Sequence, residues 1–496
     1  MGKLSIWRDT AADVAFPALE GTVDADVAIV GGGITGLTLA MLLSEGGKSV
    51  ALLEARRIGL GSTGHSTGNL YEVLSEGLHT VGDKWGRSVM GDVAESRRHA
   101  VDLIERTAAR LDADCGFRRC TLHRYATTAA QTDAIDREYR AATELGLAAR
   151  LVDRLPVAVA SARILALDNQ AQFHPLVYLR ALARRITAAG CRLYEHSAVI
   201  GIDEDACTVH TACGTVRARE IVLATHTPKG IFLVHAEMVP HREYGIAVRL
   251  AGGPAPDGIF WGFGEYRHSL RSLRANDTDY LIVVGEEHST GQHDAVTPSG
   301  RLEAFARRYF DVAAVAYRWS AQNYRPADGL PYIGRSHTSD LYIATGFATD
   351  GLTYGTVAAG IIADQILGRA SRWAGLYRAN RLAPVKGARG VLEESVSVAK
   401  ALVQDYAARP HAELASIAPG SGAVVSIDGE RLAAFRDASG ALSVLSPVCP
   451  HMKCIVRWNA AEQSWDCPCH GSRFDVSGEV IEGPALSPLA RRSVPG

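Results

Sequence analysis

A βαβ pattern over residues 25–54 constrains the fold of this chain more than any other feature. It opens with a short apolar run at residues 27–30, which suits a parallel strand covered on both faces. Gly31, Gly33 and Gly36 follow at the spacing G-x-G-x-x-G. The first glycine permits a tight turn, the second lets the backbone approach a pyrophosphate, and the third lets a helix pack closely on the strand. The pattern therefore predicts a phosphate-binding turn.

The residues after these glycines complete the unit. A helix predicted at about residues 34–45 directs its positive N-terminal end at the phosphates. A second apolar strand, at residues 50–53, ends at Glu54, the right distance on for a carboxylate that binds ribose hydroxyls. The unit predicts a dinucleotide site and leaves open whether the dinucleotide is FAD or NAD.

Length and composition exclude several classes of protein. A chain of 496 residues is long for one hydrophobic core, so we expect two or three domains. A formal net charge of -2 gives no basic excess for nucleic acid or anionic membranes. No apolar run reaches the roughly 18 residues of a membrane helix, and the N-terminus has no signal-peptide core. We therefore expect no membrane span and a cytoplasmic location.

Four of the nine cysteines crowd into two short motifs near the C-terminus. Cys449 and His451 form C-x-H, and Cys467 and His470 form C-x-x-H. Two thiolates and two imidazoles can hold structural zinc. This order, with fifteen residues between His451 and Cys467, is instead typical of a Rieske [2Fe–2S] cluster, in which two cysteines bind one iron and two histidines bind the other. The motifs predict an iron–sulfur site, with zinc as the alternative.

The second cysteine of each motif resembles a feature of the Rieske proteins of respiratory cytochrome bc complexes. In those proteins the cysteines at the positions of Cys454 and Cys469 form a disulfide that braces the cluster loops. The resemblance implies the same disulfide here and accounts for the surplus of cysteines.

Motifs spread over the rest of the chain resemble the D-amino-acid oxidase and sarcosine oxidase group of FAD-dependent amine oxidoreductases. They are the βαβ unit, a loop rich in glycine and hydroxyl groups at residues 59–69, the turn at Asp328 and Gly329, and the turn at residues 346–351. The chain looks most like the members of this group that carry a C-terminal Rieske domain. The resemblance covers nearly the whole length.

The resemblance implies an α/β fold with a Rossmann-type FAD-binding domain, an inserted α+β substrate domain and a C-terminal all-β Rieske domain. The flavoenzyme is expected at residues 1–370, a linker with an amphipathic helix at 371–410, and the Rieske domain at 411–496. Within the flavoenzyme, the FAD-binding parts are expected at about 20–80, 190–230 and 319–370, and the substrate domain at about 84–185 and 230–318.

The resemblance also implies which residues bind FAD. By position they are Gly31, Gly33, Ile34, Thr35, Gly36, Glu54, Ala55, Arg56, Ser62, Thr63, His65, Val199, Thr225, Asp328, Gly346, Gly351 and Leu352. His65 has two alternatives: a covalent bond to the flavin, as in dimethylglycine and sarcosine dehydrogenases, or a non-covalent contact.

Arg325 is the main candidate on the substrate side. Arg325-Pro326 before Asp328-Gly329 resembles glycine oxidase, in which an arginine at that place binds the substrate carboxylate. A guanidinium suits a bidentate carboxylate, although a structural ion pair is the alternative. Further candidates to face the flavin, each with a structural role as its alternative, are His288, Tyr354, Glu286, His226, His241 and Tyr244.

These features together predict a flavin-dependent dehydrogenase that oxidises a C–N bond of an amine, an amino acid or an N-alkyl amino acid. FAD accepts two electrons, and a Rieske cluster passes one at a time to an external acceptor. The alternative is an NAD(P)H-linked electron-transfer component, which would normally need a second nucleotide site. An oxygenase lacks a visible 2-His-1-carboxylate set for mononuclear iron.

Overall fold

The structure is a computed structural model of the chain, and it describes residues 4–252, 255–263, 267–291, 297–336, 339–381, 414–427 and 429–493. The amphipathic helix predicted at residues 391–407 lies outside these ranges. The described residues form an N-terminal part (residues 4–381) and a C-terminal part (residues 414–493). None of the helices they form is long and apolar enough to cross a membrane.

The first sheet of the N-terminal part holds the predicted βαβ unit. Its central strand, Gly21–Val30, alternates between two cores: Val27 and Ile29 pack into one, and Ala28 and Val30 pack into the other. This two-sided burial explains the unbroken apolar run. Among the described residues, the strands follow in the order Tyr332–Arg335, Tyr342–Thr345, Gly214–Leu223, Gly21–Val30, Val50–Leu53 and Arg192–Tyr194, with Val199–Asp203 and Thr208–Thr211 paired beside Gly214–Leu223.

Helix Ile34–Glu45 follows Gly33 directly and packs on helix Gly351–Ile366. A Cβ atom added to Gly355 would lie 2.5 Å from Thr35 Oγ1, so the glycine permits this close approach. The other α-helices in the described ranges are Ile6–Thr10, Leu78–Trp85, Arg87–Ala108, Thr132–Glu144, Pro175–Ala188, Pro298–Tyr309 and Ala374–Tyr377. Short 3₁₀ helices are Ser62–His65, Ala129–Gln131, Leu233–Glu237 and Leu414–Ser416.

The second sheet of the N-terminal part lies across the first. Among the described residues its order is Val312–Pro326, Met238–Leu250, Thr278–Ser289, Ser269–Ala275, Ile259–Phe263, Arg118–Ala126, Arg163–Gln172 and Asn69–Leu70, with Ala149–Val152 paired to Arg163–Gln172. Strand Met238–Leu250 turns Ala247 toward the core shared with the first sheet and Ile246 toward helix Pro298–Tyr309. Because side chains alternate along a strand, one face of this sheet looks toward the nucleotide-binding turn and the other looks away.

The C-terminal part is all β. One sheet contains Ser421–Ile427, Glu430–Arg436 and Leu442–Leu445, and another contains Arg457–Asn459, Ser464–Asp466, Arg473–Phe474 and Val480–Glu482. Its core includes Trp465, Phe474 and the two predicted ligands Cys449 and Cys467. The loops that carry the cysteine and histidine motifs lie against the N-terminal part, which brings the two predicted cofactor sites together.

Candidate functional site

The predicted dinucleotide turn has the close contacts that its glycines require. Gly31 has a φ of 114°, and a Cβ atom on Gly36 would lie 2.0 Å from the Gly31 carbonyl oxygen. Glu54 accepts hydrogen bonds from the backbone N–H groups of Gly32 (2.8 Å) and Arg56 (2.9 Å). Helix Ile34–Glu45 can approach the strand this closely only with glycine at position 36.

A cavity of about 820 Å³ opens in front of this turn, and we call it the main cavity. Most residues predicted to bind FAD line it: Gly31, Gly33, Ile34, Thr35, Glu54, Ala55, Arg56, Ser62, Thr63, His65, Val199, Thr225, Gly351 and Leu352. The glycine cradle, the carboxylate at its far end and the size of the cavity fit an extended dinucleotide such as FAD.

Three of the residues predicted to bind FAD lie outside the lining of the main cavity. Gly36 acts at the helix–strand contact, and Gly346 adopts a φ of 76° beside Tyr332 and Met238. Asp328 forms a buried ion pair with Arg381, at 2.7 Å.

His65 lies in the loop at residues 59–69, which closes one side of the main cavity. Its Nδ1 atom lies 2.9 Å from the Gly61 carbonyl oxygen, and the Trp319 indole donates to the His65 carbonyl at 2.9 Å. Burial lowers the pKa of His65 despite the Gly61 contact. The covalent and the non-covalent contact to flavin both stay predictions; yellow colour that remains with the denatured protein would indicate the covalent bond.

Arg325 is held by two carboxylates. Its Nε atom donates to Glu287 at 2.8 Å, and one terminal nitrogen donates to Glu76 at 2.7 Å. Glu76 also binds Arg267 at 3.0 Å. These contacts raise the pKa of Arg325 against the opposing effect of burial, so the guanidinium is a fixed positive charge.

The other substrate-side candidates are spread over several places. His288 contacts the Tyr244 hydroxyl at 3.3 Å, and Glu286 pairs with His268 and Arg301. Tyr354 is buried, with the Arg97 guanidinium 4.5 Å from its ring centre, and burial raises the pKa of its hydroxyl well above the usual value. Of the wider set, Tyr244 and His226 line the main cavity; His241, Glu286, His288 and Tyr354 do not.

The C-terminal motifs converge as predicted for a cluster. Cys449 and Cys467 are both buried, and a hydrogen bond with the Cys467 thiol lowers the pKa of Cys449 to about 7. The rings of His451 and His470 have centres 5.0 Å apart. Burial lowers the pKa of His470 to about 4, so this imidazole stays neutral, and its Nδ1 atom is buried without a partner in the described chain. A neutral, unpaired nitrogen beside paired thiols fits the ligand set of a Rieske cluster.

The predicted disulfide between Cys454 and Cys469 is present. The sulfur atoms of these two residues and of Cys467 all lie within 4.8 Å of one another. A disulfide sulfur cannot act as a thiolate ligand, so Cys467 remains the ligand of this group and the disulfide braces the loops around it.

Residues 226–235, which we call the seam segment, connect the main cavity to the cluster motifs. His226 lines the cavity at one end, and the Gly230 carbonyl accepts a hydrogen bond from His451 Nε2 at 3.1 Å. The ring of His235 lies against both predicted histidine ligands, with centres 5.1 Å from His451 and 6.0 Å from His470. Of this segment, sequence reasoning singled out His226 and missed the contacts with the cluster motifs, because they join residues more than 200 positions apart.

A network of ion pairs, which we call the seam network, lies at the contact between the N-terminal and C-terminal parts. Arg242 donates to Glu462 at 3.1 Å and lies 3.5 Å from Glu482. Arg473 pairs with both glutamates, and Glu482 also lies 3.5 Å from His226 Nδ1. Burial raises the pKa of Glu482, but the contacts with His226, Arg242 and Arg473 outweigh this and bring it to about 2. The two parts of the chain are therefore joined by buried, ionised groups.

Comparison with known proteins agrees with this arrangement. Residues 26–365 match the family model of the FAD-dependent oxidoreductases called DAO, and residues 406–493 match the Rieske [2Fe-2S] domain. The chain belongs to the DAO family. As a DAO enzyme with a Rieske domain, it uses FAD and a [2Fe–2S] cluster, which decides against NAD at the dinucleotide turn and zinc at the cysteine motifs. The predicted family, fold class and cofactors are confirmed.

The relatives of this DAO enzyme cover different shares of the chain. The Rieske 2Fe-2S iron-sulfur protein YhfW of Bacillus subtilis is 32% identical, covering 97% of this chain and 96% of that protein. Gamma-glutamylputrescine oxidoreductase of Escherichia coli is 26% identical, covering 72% of this chain and 87% of that protein. The crystal structure of glycine oxidase from Geobacillus kaustophilus superposes with a TM-score of 0.61 at 20% identity, covering 72% of this chain and 99% of that one, which shows a shared fold.

Proposed function

We propose that this DAO enzyme is a dehydrogenase that oxidises a C–N bond of an amine, with an amino acid or N-alkyl amino acid as the expected substrate, and that electrons leave through the Rieske cluster to an external one-electron acceptor. Bound FAD supplies a two-electron acceptor, and the cluster supplies one-electron transfer. The observation that carries the proposal is the seam segment, since one short stretch of chain both lines the main cavity and hydrogen-bonds a cluster ligand.

The seam segment is held in a single arrangement by its own hydrogen bonds. His235 Nδ1 accepts from the Phe232 N–H at 3.4 Å, so Nε2 carries the proton and donates to the Pro228 carbonyl at 3.1 Å. Burial lowers the pKa of His235 to about 3, which keeps the ring neutral. The fixed ring and the Gly230 carbonyl give the cluster ligand His451 a contact of the kind that orients metal-binding histidines.

Replacing His235 by Leu should slow electron transfer from reduced flavin to the cluster by about tenfold or more, the range seen when a group that orients a metal-binding histidine is removed. Leu cannot bond to Phe232 or Pro228, so the Gly230 carbonyl loses its fixed position against His451. Stopped-flow absorbance of the flavin and the EPR spectrum of the cluster report the change. The matched control is His210→Leu, in a strand of the first sheet outside the lining of the cavity, which should behave as wild type.

An amine substrate is supported by the names of the relatives. The Escherichia coli relative is named for oxidation of gamma-glutamylputrescine, and structural neighbours are named glycine oxidase and L-amino acid deaminase. Among residues of this chain, Arg325 would bind a substrate carboxylate. Glu76 is the partner it can release, because Glu76 keeps Arg267 as a second ion-pair partner and its side chain is 44% exposed.

Replacing Arg325 by Met should raise KM for an amino-acid substrate by roughly tenfold to a hundredfold, as expected for loss of a charged hydrogen-bonded pair. KM for an uncharged amine of similar size should change far less, because no carboxylate contact is lost. Steady-state kinetics with both substrates measure the difference. Neither Arg325 nor Arg267 is among the residues that line the main cavity, so the substrate carboxylate would meet Arg325 at its edge. Arg267→Met is the control, since it removes the other guanidinium paired with Glu76 and leaves Arg325 in place. Equal KM changes for acid and amine would reject the role of Arg325.

The alternative function, transfer of electrons from NAD(P)H, is separated from the proposal by one experiment. The protein is mixed anaerobically, in separate experiments, with NADH, with NADPH and with a panel of primary and N-methyl amino acids. Bleaching of the flavin absorbance is recorded first, and reduction of the cluster is then recorded from its spectrum. The proposal expects bleaching by an amino acid and none by either nicotinamide. Bleaching by NADH or NADPH alone would establish the alternative.

A further inference from the structure

Glu243 and Asn323 lie on the face of the second sheet that looks toward the nucleotide-binding turn, and both line the main cavity. They belong to neighbouring antiparallel strands, in which His241 pairs with Asn323 and Glu243 pairs with Ala321. Side chains at such diagonal positions on one face are close enough to contact one ligand. Gly245 lies two residues after Glu243 and therefore on the same face of the sheet. An added Cβ atom on Gly245 would lie 2.5 Å from the Trp319 ring, so this ring packs directly against that face.

Asn323 presents a hydrogen-bond acceptor that has no partner. Its Nδ2 atom donates to Glu287 at 3.1 Å, and since an ionised carboxylate can only accept, the amide cannot be turned around. Its Oδ1 atom is then left buried without a partner in the described chain, although the residue is only 5% exposed. A buried acceptor without a donor costs about 1–3 kcal/mol, so a ligand N–H group bound here would remove that cost.

Glu243, which is half-buried, presents a carboxyl group to the same cavity. Its carboxylate makes no hydrogen bond or ion pair with the described residues, and the nearby guanidinium of Arg325 is already held by Glu287 and Glu76. Burial, together with the charge of Glu287, raises the pKa of Glu243 to about 8. A cation bound beside this carboxyl group would favour its ionised form, so that at neutral pH the group releases its proton and the carboxylate accepts from the N–H groups of the cation.

We propose that Glu243 and Asn323 form the subsite that binds an alkylammonium group of the substrate. The subsite rests on the proposed amine oxidation and names the part of the cavity that holds the charged nitrogen. An ammonium group carries three N–H donors and no acceptor, which matches two unpartnered acceptors on one face. The ammonium is either the nitrogen that is oxidised, which must first give its extra proton to the Glu243 carboxylate so that the amine is neutral when it reacts, or a second one farther along a diamine.

The subsite is tested by binding, without any turnover. The probe is tert-butylammonium, which has no hydrogen on the carbon bearing nitrogen and so cannot be oxidised there; tert-butanol is its neutral counterpart. Binding to the oxidised holoenzyme is followed through the flavin absorbance or by calorimetry. Glu243→Gln should weaken tert-butylammonium binding at least tenfold, Asn323→Leu should weaken it several-fold, and tert-butanol should bind poorly to every form.

The matched control is Glu303→Gln. Glu303 also lines the main cavity, but it is already paired with Arg307 at 2.9 Å and Arg318 at 2.7 Å. This variant should bind tert-butylammonium as wild type does. Unchanged binding by Glu243→Gln with an unchanged melting temperature, or equal affinity of wild type for tert-butanol, would overturn the subsite. These outcomes stand even if no amine reduces the flavin, so the subsite and the proposed function can fail separately.

Kinetics with 1,4-diaminobutane and butylamine show whether the subsite binds the nitrogen that reacts or the distant nitrogen of a diamine. If Glu243 binds the reacting nitrogen, Glu243→Gln raises KM for both amines by the same factor. If it binds the distant nitrogen, KM rises for the diamine alone. A change in kcat with no change in either KM would contradict both assignments.

Discussion

Replacing Arg242 by Met should destabilise the protein by about 3 kcal/mol or more and loosen the contact between its two parts, because it removes one partner from a buried ionic group. The Arg242 side chain is only 2% exposed and faces Glu462 and Glu482. Without it, Arg473 would be the guanidinium left to pair with these two glutamates and with Asp466, and His226 would remain 3.5 Å from Glu482. Two half-buried carboxylates would then share one guanidinium with the fully buried Asp466.

Thermal unfolding and limited proteolysis measure this effect. The melting temperature should fall, cleavage should become faster, and electron transfer from flavin to cluster should slow with them. Arg249→Met is the control, because Arg249 lies near the exposed end of the same strand and should leave all three quantities unchanged. If the two variants unfold at the same temperature, the seam network does not hold the parts together.

Replacing Gly36 by Ala should abolish FAD binding. The new methyl group would lie 2.0 Å from the Gly31 carbonyl oxygen, and since both atoms belong to rigid backbone, helix Ile34–Glu45 must move away from its strand. Forcing extra volume into such a contact costs about 1–3 kcal/mol or more and displaces the N–H groups that face the phosphates.

The ratio of flavin absorbance to protein in the purified variant measures the loss. Gly360→Ala is a matched control, since Gly360 lies within helix Gly351–Ile366 and a Cβ atom there would meet nothing within 4 Å. That variant should retain full FAD content and gain slightly in stability, because alanine favours a helix more than glycine does. A Gly36→Ala protein with normal FAD content would contradict the geometry assigned to the turn.

The features that the sequence predicts well are encoded by neighbouring residues. The glycine turn with Glu54 and the two cysteine motifs each depend on spacing within a few dozen positions, and spacing is what backbone geometry and metal coordination require. The contact between Gly230 and His451, by contrast, depends on how the C-terminal part docks, and no local pattern specifies it.

The partners of charged residues likewise could not be predicted from the sequence. Asp328 stands in a turn that resembles a flavin-binding segment, yet its partner is Arg381, which no sequence pattern connects with it. Arg325 stands where a carboxylate-binding arginine is expected, but Glu287 and Glu76 come from distant segments, and only the folded chain shows that the guanidinium is shared. From the sequence, Glu243 is an ordinary strand residue, and its significance depends on its having no hydrogen-bond or ion-pair partner among the residues that the structure describes.

Transfer of electrons from flavin to cluster within one chain is tested most directly by a single-turnover experiment. The protein is mixed anaerobically with one equivalent of an amine substrate, and flavin absorbance and the EPR signal of the reduced cluster are followed in time at several protein concentrations. The proposed function predicts that the cluster signal grows as the fully reduced flavin gives up one electron, with a rate constant that does not change on dilution; the second electron stays on the flavin until an external acceptor reoxidises the cluster. A cluster that stays oxidised beside reduced flavin, or a rate that falls in proportion to protein concentration, would contradict it.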